Sequence, residues 1–396
     1  MIYLLLISLL ICLIIRYDIN GVVEYKKEWY LFVLILLILM SGLRYRLGVD
    51  TISYLYSFYH QVPMLHKITI EDFAYGKDPL FMLMNSLVKT IGGKFYIVQL
   101  VHATIVNTLI FSYFRRYSKY LFTCVLLYYV TVFFVLNMEE MRASLSVALS
   151  LFANDYIMKR KWLKGVALYG TCCLFHASSV ILLLFIPIIS FIRFNFKGLL
   201  ILFALAVSGI FAMQFIMDNY QEIIDIDKVV DNKIAFYLKD EMYTEGNLNV
   251  IGIIVSFLSL LYPLYYLFYL KKYEKESRLL NLEPFLMIFI LISIMSFQIP
   301  IVYRFVRFYS VYNILFVSSF FMCLLHKQST LSIGIRSLRA LIIILPFIYN
   351  IMKGYSDVKT YARYYPYASI LDMEINEQRE RVFMYLKGER TSPIEY

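Results

Sequence analysis

Charge is scarce in this sequence. Charged residues make up 17% of 396 positions against 61% hydrophobic, and the mean hydropathy is +0.68. A soluble domain has no use for so much apolar surface, so that class is excluded and a polytopic membrane protein is predicted. Cysteine is sparse as well: Cys12, Cys124, Cys172, Cys173 and Cys323 all lie in apolar runs, with no CxxC or Cys/His spacing. That excludes a disulfide framework and gives no support to a metal site. There is no internal repeat, no low-complexity tract and no EF-hand pattern. The first fifteen residues have no basic stretch before them and no small-residue cleavage pattern after them, so they are read as a retained first span rather than a signal peptide. Tryptophan occurs twice, against 36 tyrosines and 32 phenylalanines, which leaves interfacial anchoring to tyrosine.

Long apolar runs are what the sequence does have. Spans are predicted near 1–16, 29–43, 95–114, 119–137, 141–158, 163–175, 177–193, 198–217, 248–270, 284–300, 305–326 and 337–351. These give an all-α protein of about twelve transmembrane or re-entrant helices, with an external cavity formed by loops and interfacial helices. The membrane domain covers 1–351, with external loops 44–94 and 218–247, and an amphipathic tail covers 352–396. Segment 79–92 is short, carries Asn85 and Lys89, and reads as interfacial or re-entrant. With 79–92 not crossing, the basic loops all fall in one alternating set. That set includes Arg16, Lys26 and Lys27, then Arg115, Arg116 and Lys119, then Lys159 to Lys164. The positive-inside rule makes this set cytoplasmic. The net charge of +10 is thereby accounted for by membrane orientation and anionic headgroups, not by nucleic acid.

This topology puts the unusual charged residues on the external side. Gly42-Leu43-Arg44-Tyr45-Arg46-Leu47-Gly48-Val49-Asp50 places two arginines and an aspartate between glycines at a membrane boundary. Headgroup snorkelling would explain the arginines but not the glycines. Asp50 is read either as a cap for a helix over 51–60 or as a base. Arg142 stands at the mouth of a span, either paired locally with Glu139 or facing an external cavity. His176, beside Ala177-Ser178-Ser179, has a near-neutral titration range and small neighbours, and is either a structural hydrogen bonder or a base. Arg304 and Arg307 are spaced i, i+3, so a helix there aligns two forks suited to a diphosphate. The acidic loop 218–247 reads as a solvated segment.

In this order, G-L-R-Y-x-x-G-x-D with Tyr54 beyond it, M-R-A-S-L-S-V-A-L around Arg142, F-H-A-S-S at His176 and R-F-V-R at 304–307 resemble the EpsG family. Those are exopolysaccharide-biosynthesis proteins similar to Wzy-type O-antigen and capsule polymerases. The resemblance implies a bacterial cytoplasmic (inner) membrane protein with its active face external. It would transfer a growing glycan from a polyprenyl (undecaprenyl) diphosphate carrier to a lipid-linked oligosaccharide repeat unit, without cofactor or metal. Expected partners are that substrate, membrane lipids, a chain-length regulator and other assembly proteins, and no nucleic acid. Arg44, Arg46, Arg304 and Arg307 would bind the diphosphate, and Tyr45 and Tyr54 would stack on sugars. Catalysis would fall to Asp50, His176 and Arg142, with Glu139 or Glu140 in reserve. The rivals are a flippase or exporter of lipid-linked sugar and a membrane acyltransferase using His60 or His66.

Overall fold

A computed structural model describes residues 2–74, 78–191, 193–223, 250–298, 302–326 and 358–386. The expected span 337–351 and nearly all of the acidic loop 218–247 lie outside these residues. Among the described residues the secondary structure is helical, with one isolated bridge between Arg44 and Ser369. The chain forms two compact units. One comprises Met1–Leu183 with Phe347–Tyr396, and the other Leu184–Pro346. Packing therefore joins the C-terminal tail to the N-terminal half.

In the first unit, α1 (Ile2–Leu13) runs on through a wider π-helical stretch, Ile14–Ile19. It is followed by α2 (Lys26–Gly42), α3 (Val49–His60), the single turn α4 (Glu71–Ala74) and α5 (Pro79–Thr90). Then come α6 (Phe95–Tyr117), α7 (Leu121–Tyr128, continued by π-helical turns to Glu139), α8 (Met141–Met158) and α9 (Trp162–Phe175). A 3-10 turn, Ala177–Val180, leads into α10 (Ile181–Phe191), which belongs to the second unit from Leu184 onward. The second unit contains α11 (Phe196–Ile223), α12 (Val250–Tyr273), α13 (Glu283–Gln298) and α14 (Tyr303–His326). The tail adds α15 (Val358–Tyr364) and α16 (Glu377–Leu386) to the first unit. Among the described residues, four helical stretches are long and apolar enough to cross a membrane: Ile2–Ile19, Phe95–Tyr117, Arg278–Phe297 and Tyr303–Leu325.

Side-chain ties sort the first unit's helix termini into two ends. At one end, Asp18 after α1 accepts from the backbone and hydroxyl of Thr123 at 2.8 and 2.9 Å, which satisfies an amide in the first turn of α7. Lys26 pairs with the same aspartate and reaches the carbonyl of Lys119. Asp155, near the end of α8, accepts from Tyr113, Tyr117 and Arg116 near the end of α6. The basic loops of the first unit gather at this end. At the other end, Tyr3 donates to the carbonyl of Tyr364, Thr51 to Met138 and Tyr367 to Met40. Helix α5 begins and finishes at this second end. Asp78 before it meets Arg142, while Lys89 in its last turn donates to the carbonyls of Phe58 and Val62. Its twelve residues rise only about 18 Å, short of a bilayer's apolar thickness of about 30 Å.

Between the ends the interior carries a closed polar network. Asn107 donates to Asn137, Asn137 to Tyr128 and Tyr128 back to Asn107, at 2.7, 2.7 and 3.1 Å. Water is excluded from such a core, so the three side chains satisfy one another and fix the α6–α7 register.

Candidate functional site

Three helix ends of the first unit and the middle of α3 converge around Asp78. The aspartate stands just before Pro79, whose ring suits the first position of α5 and keeps the preceding residue extended. Arg142 is the second residue of α8, after the chain breaks its helical path at Glu140 (φ −89°, ψ 60°). His176 is extended (φ −154°, ψ 108°) between α9 and the 3-10 turn. Tyr54 lies in the middle of α3, one helical turn beyond Asp50.

Arg142 Nη1 donates to Asp78 Oδ2 at 2.7 Å, and the guanidinium lies over the Tyr54 ring, 5.5 Å from its centroid. Arg142 Nε stands 3.5 Å from the Tyr54 hydroxyl. The Ala177 amide donates to Asp78 Oδ1 at 2.8 Å, so the carboxylate also caps the helical segment after His176. His176 Nδ1 approaches Asp78 Oδ2 to 3.8 Å, while its Nε2 is 2.5 Å from Ser178 Oγ. Burial alone would raise the Asp78 carboxyl. The approach of His176, the charge of Arg142 and the Ala177 amide outweigh it and hold the carboxyl below the ordinary aspartate value. The side chain of Asp78 is 4% exposed and that of Arg142 40% exposed, so the pair has a buried anchor and a cation that faces outward. The arrangement offers an anion-binding guanidinium, an imidazole and an aromatic face at one helix-end junction.

Of the residues singled out in the sequence, the structure brings Arg142, His176 and Tyr54 together. The local Glu139–Arg142 pair does not form. The break at Glu140 takes the two off a common helix face, and Glu139 instead pairs with Arg363 of the tail at 3.5 Å. Asp50 is exposed in the first turn of α3, where its charge favours the helix dipole. The N-cap is Gly48, with no side-chain cap bond, so Asp50 does not cap this helix.

The tail covers the turn that carries Arg44 and Arg46. Arg44 is fully buried and donates to the Ser41 carbonyl at 2.5 Å and toward Thr51 Oγ1 at 3.5 Å. Burial lowers its guanidinium to about 9. Residues 43–45 pair with 368–370 through Tyr45 N–H to Ala368 O and Ile370 N–H to Leu43 O, each 2.9 Å. Arg46 forms a buried bidentate pair with Glu380 of α16, at 2.9 and 2.7 Å. In this conformation both guanidinium groups are buried against protein partners, and Tyr45, half-buried, lies in the same tail-covered turn. Arg304 and Arg307 belong to the second unit. Helix α14 starts at Tyr303, so both arginines lie near its N-terminus, where the helix dipole adds to their positive charge. Arg307 lies over the Tyr303 ring. Among the described residues no group of three or more His, Cys, Asp or Glu is placed to hold a metal.

Sequence reading missed Asp78. Its signal was an aspartate directly before a helix-starting proline, beside a segment already read as non-crossing.

The family model that matches this chain is that of the EpsG family, over residues 27–369. The chain belongs to the EpsG family. That family is one of Wzy-like polysaccharide polymerases, and its apolar helices make this member a membrane protein. No curated protein and no solved structure matches it. Tyr54, Asp78, Arg142 and His176 all fall within the matched region. Glu380, the partner of Arg46, lies beyond it in α16.

Proposed function

We propose that this EpsG-family protein polymerises a surface polysaccharide by moving a growing glycan from a polyprenyl diphosphate to a hydroxyl of a lipid-linked repeat unit. The observation that carries this is the Arg142–Asp78–His176–Tyr54 cluster, at the end of the first unit opposite its basic loops. The positive-inside rule makes the basic end cytoplasmic, so the cluster faces the cell exterior.

In the reaction, the acceptor hydroxyl oxygen forms a bond to the donor's anomeric carbon as the bond from that carbon to the diphosphate breaks. The hydroxyl proton passes to His176, and the bonding electrons leave with the polyprenyl diphosphate. That leaving group is already activated, so the main demands are cationic stabilisation of its developing charge and a base. Arg142 supplies the first demand here. Tyr54 offers a stacking face to a sugar. Asp50, exposed one turn before Tyr54, is a second base candidate.

A strain lacking the protein tests the reading. It should accumulate single lipid-linked repeat units on the outer face of the membrane and make no long polymer. Accumulation on the inner face would replace this reading with that of a flippase.

A further inference from the structure

The two oxygens of Asp78 have different neighbours. Oδ1 is fixed by the Ala177 amide, while Oδ2 receives Arg142 Nη1 at 2.7 Å and faces His176 Nδ1 at 3.8 Å. His176 Nδ1 is buried without a hydrogen-bond partner. Leaving a buried polar nitrogen unpaired is unfavourable, and the oxygen 3.8 Å from it is already engaged by a half-exposed arginine.

We propose that Asp78 Oδ2 is handed from Arg142 to His176 when a diphosphate engages Arg142. This rests on Arg142 being the diphosphate-binding group proposed above. Phosphate oxygens can take a guanidinium bidentately and so draw it from a single carboxylate oxygen. The freed Oδ2 then accepts from His176 Nδ1–H after the ring closes a gap of about 1 Å to ordinary hydrogen-bond length. With its one ring proton on Nδ1, His176 has an unprotonated Nε2, which accepts from Ser178 Oγ–H until the acceptor hydroxyl takes that place. Asp78 touches neither sugar nor phosphate; it is a positioning residue that prepares the base once the donor is in place. No covalent bond changes in the handover itself.

The test uses full-length protein labelled with [15N]histidine in nanodiscs, with inorganic pyrophosphate as probe. The His176 signals are assigned by their loss in His176→Gln. Pyrophosphate should shift wild-type His176 to the Nδ1-protonated, hydrogen-bonded tautomer. In Asp78→Asn, which keeps an oxygen for Ala177, pyrophosphate should still bind but the tautomer response should vanish, and Asp78→Glu should recover part of it. Kinetically, Asp78→Asn should lower kcat about 100-fold or more, in the range of a lost general base, without raising KM for the lipid-linked donor. Pyrophosphate binding with no response at His176, or an equal response in Asp78→Asn, overturns the handover and leaves the anion-binding role of Arg142 standing. Pyrophosphate binding that is unaffected by Arg142→Gln overturns both.

Discussion

Replacing Gly48 with alanine should be among the most damaging single-methyl additions to the first unit. Gly48 has φ +85° and ψ 135°, a conformation that costs a residue with a side chain about 1–3 kcal/mol. A Cβ built there would lie 2.1 Å from the Met138 carbonyl oxygen and 2.8 Å from its carbon. Both are backbone atoms, so no side-chain rotation relieves the clash, and the overpacking adds about 1–3 kcal/mol. The same carbonyl accepts from Thr51 Oγ1 at 2.9 Å, so moving it away forfeits about 1 kcal/mol more. The total is about 3–7 kcal/mol, and the displacement falls four residues before Arg142. Gly92 is the internal control. Its φ is +75° but a Cβ there meets nothing within 4 Å, so Gly92→Ala carries the backbone cost alone. Thermal unfolding in detergent should rank wild type above Gly92→Ala and both well above Gly48→Ala. Equal melting of Gly48→Ala and wild type, or a larger loss for Gly92→Ala, would refute the close approach of the α2–α3 turn to Met138.

Two further outcomes follow from buried ion pairs. Glu380→Gln leaves Arg46 buried without its carboxylate. Truncating one partner of such a pair costs about 3–5 kcal/mol, so residues 363–380 should gain protease cleavage and lose amide-exchange protection. An unchanged digestion pattern would argue against the docked tail. The Asp78 carboxyl is depressed by its neighbours, so its stabilising contribution is complete at neutral pH and is lost as pH falls through that lowered value. Polymerisation at mildly acidic pH should therefore retain whatever Asp78 contributes, with any acid loss traceable to Asp78 confined below the ordinary aspartate value of about 3.9. A loss near pH 5 that Asp78→Asn abolishes would contradict that depression.

Helix positions were legible because lipid leaves little choice: apolar runs bounded by charge must satisfy their backbone internally, and the described helices follow the apolar runs closely, four of the described stretches being long and apolar enough to cross. The short helix Pro79–Thr90 was legible for the same reason, since its apolar run is bounded by Asp78 and Gly92-Gly93. Arg142 and His176 stood out as polar groups at span mouths and Tyr54 as an aromatic in the loop between spans, and the fold gathers them. The burial of Arg44 and Arg46 was not legible because it comes from a tail more than 300 residues away, whose return has no local signature. Asp78 went unnoticed because its importance lies in three partners from different helix ends. None of those pairings is encoded by spacing.

The most direct measurement is chain extension by the purified protein in liposomes, supplied with lipid-linked repeat units and compared with Arg142→Gln. Folding of the variant is checked by its melting temperature. Wild type should build a ladder of products and release polyprenyl diphosphate, while Arg142→Gln should fall by about 100-fold or more in rate, as expected when a charge-stabilising donor is removed. An Arg142→Gln ladder equal to that of wild type would contradict the assignment of this cluster as the site of glycan transfer.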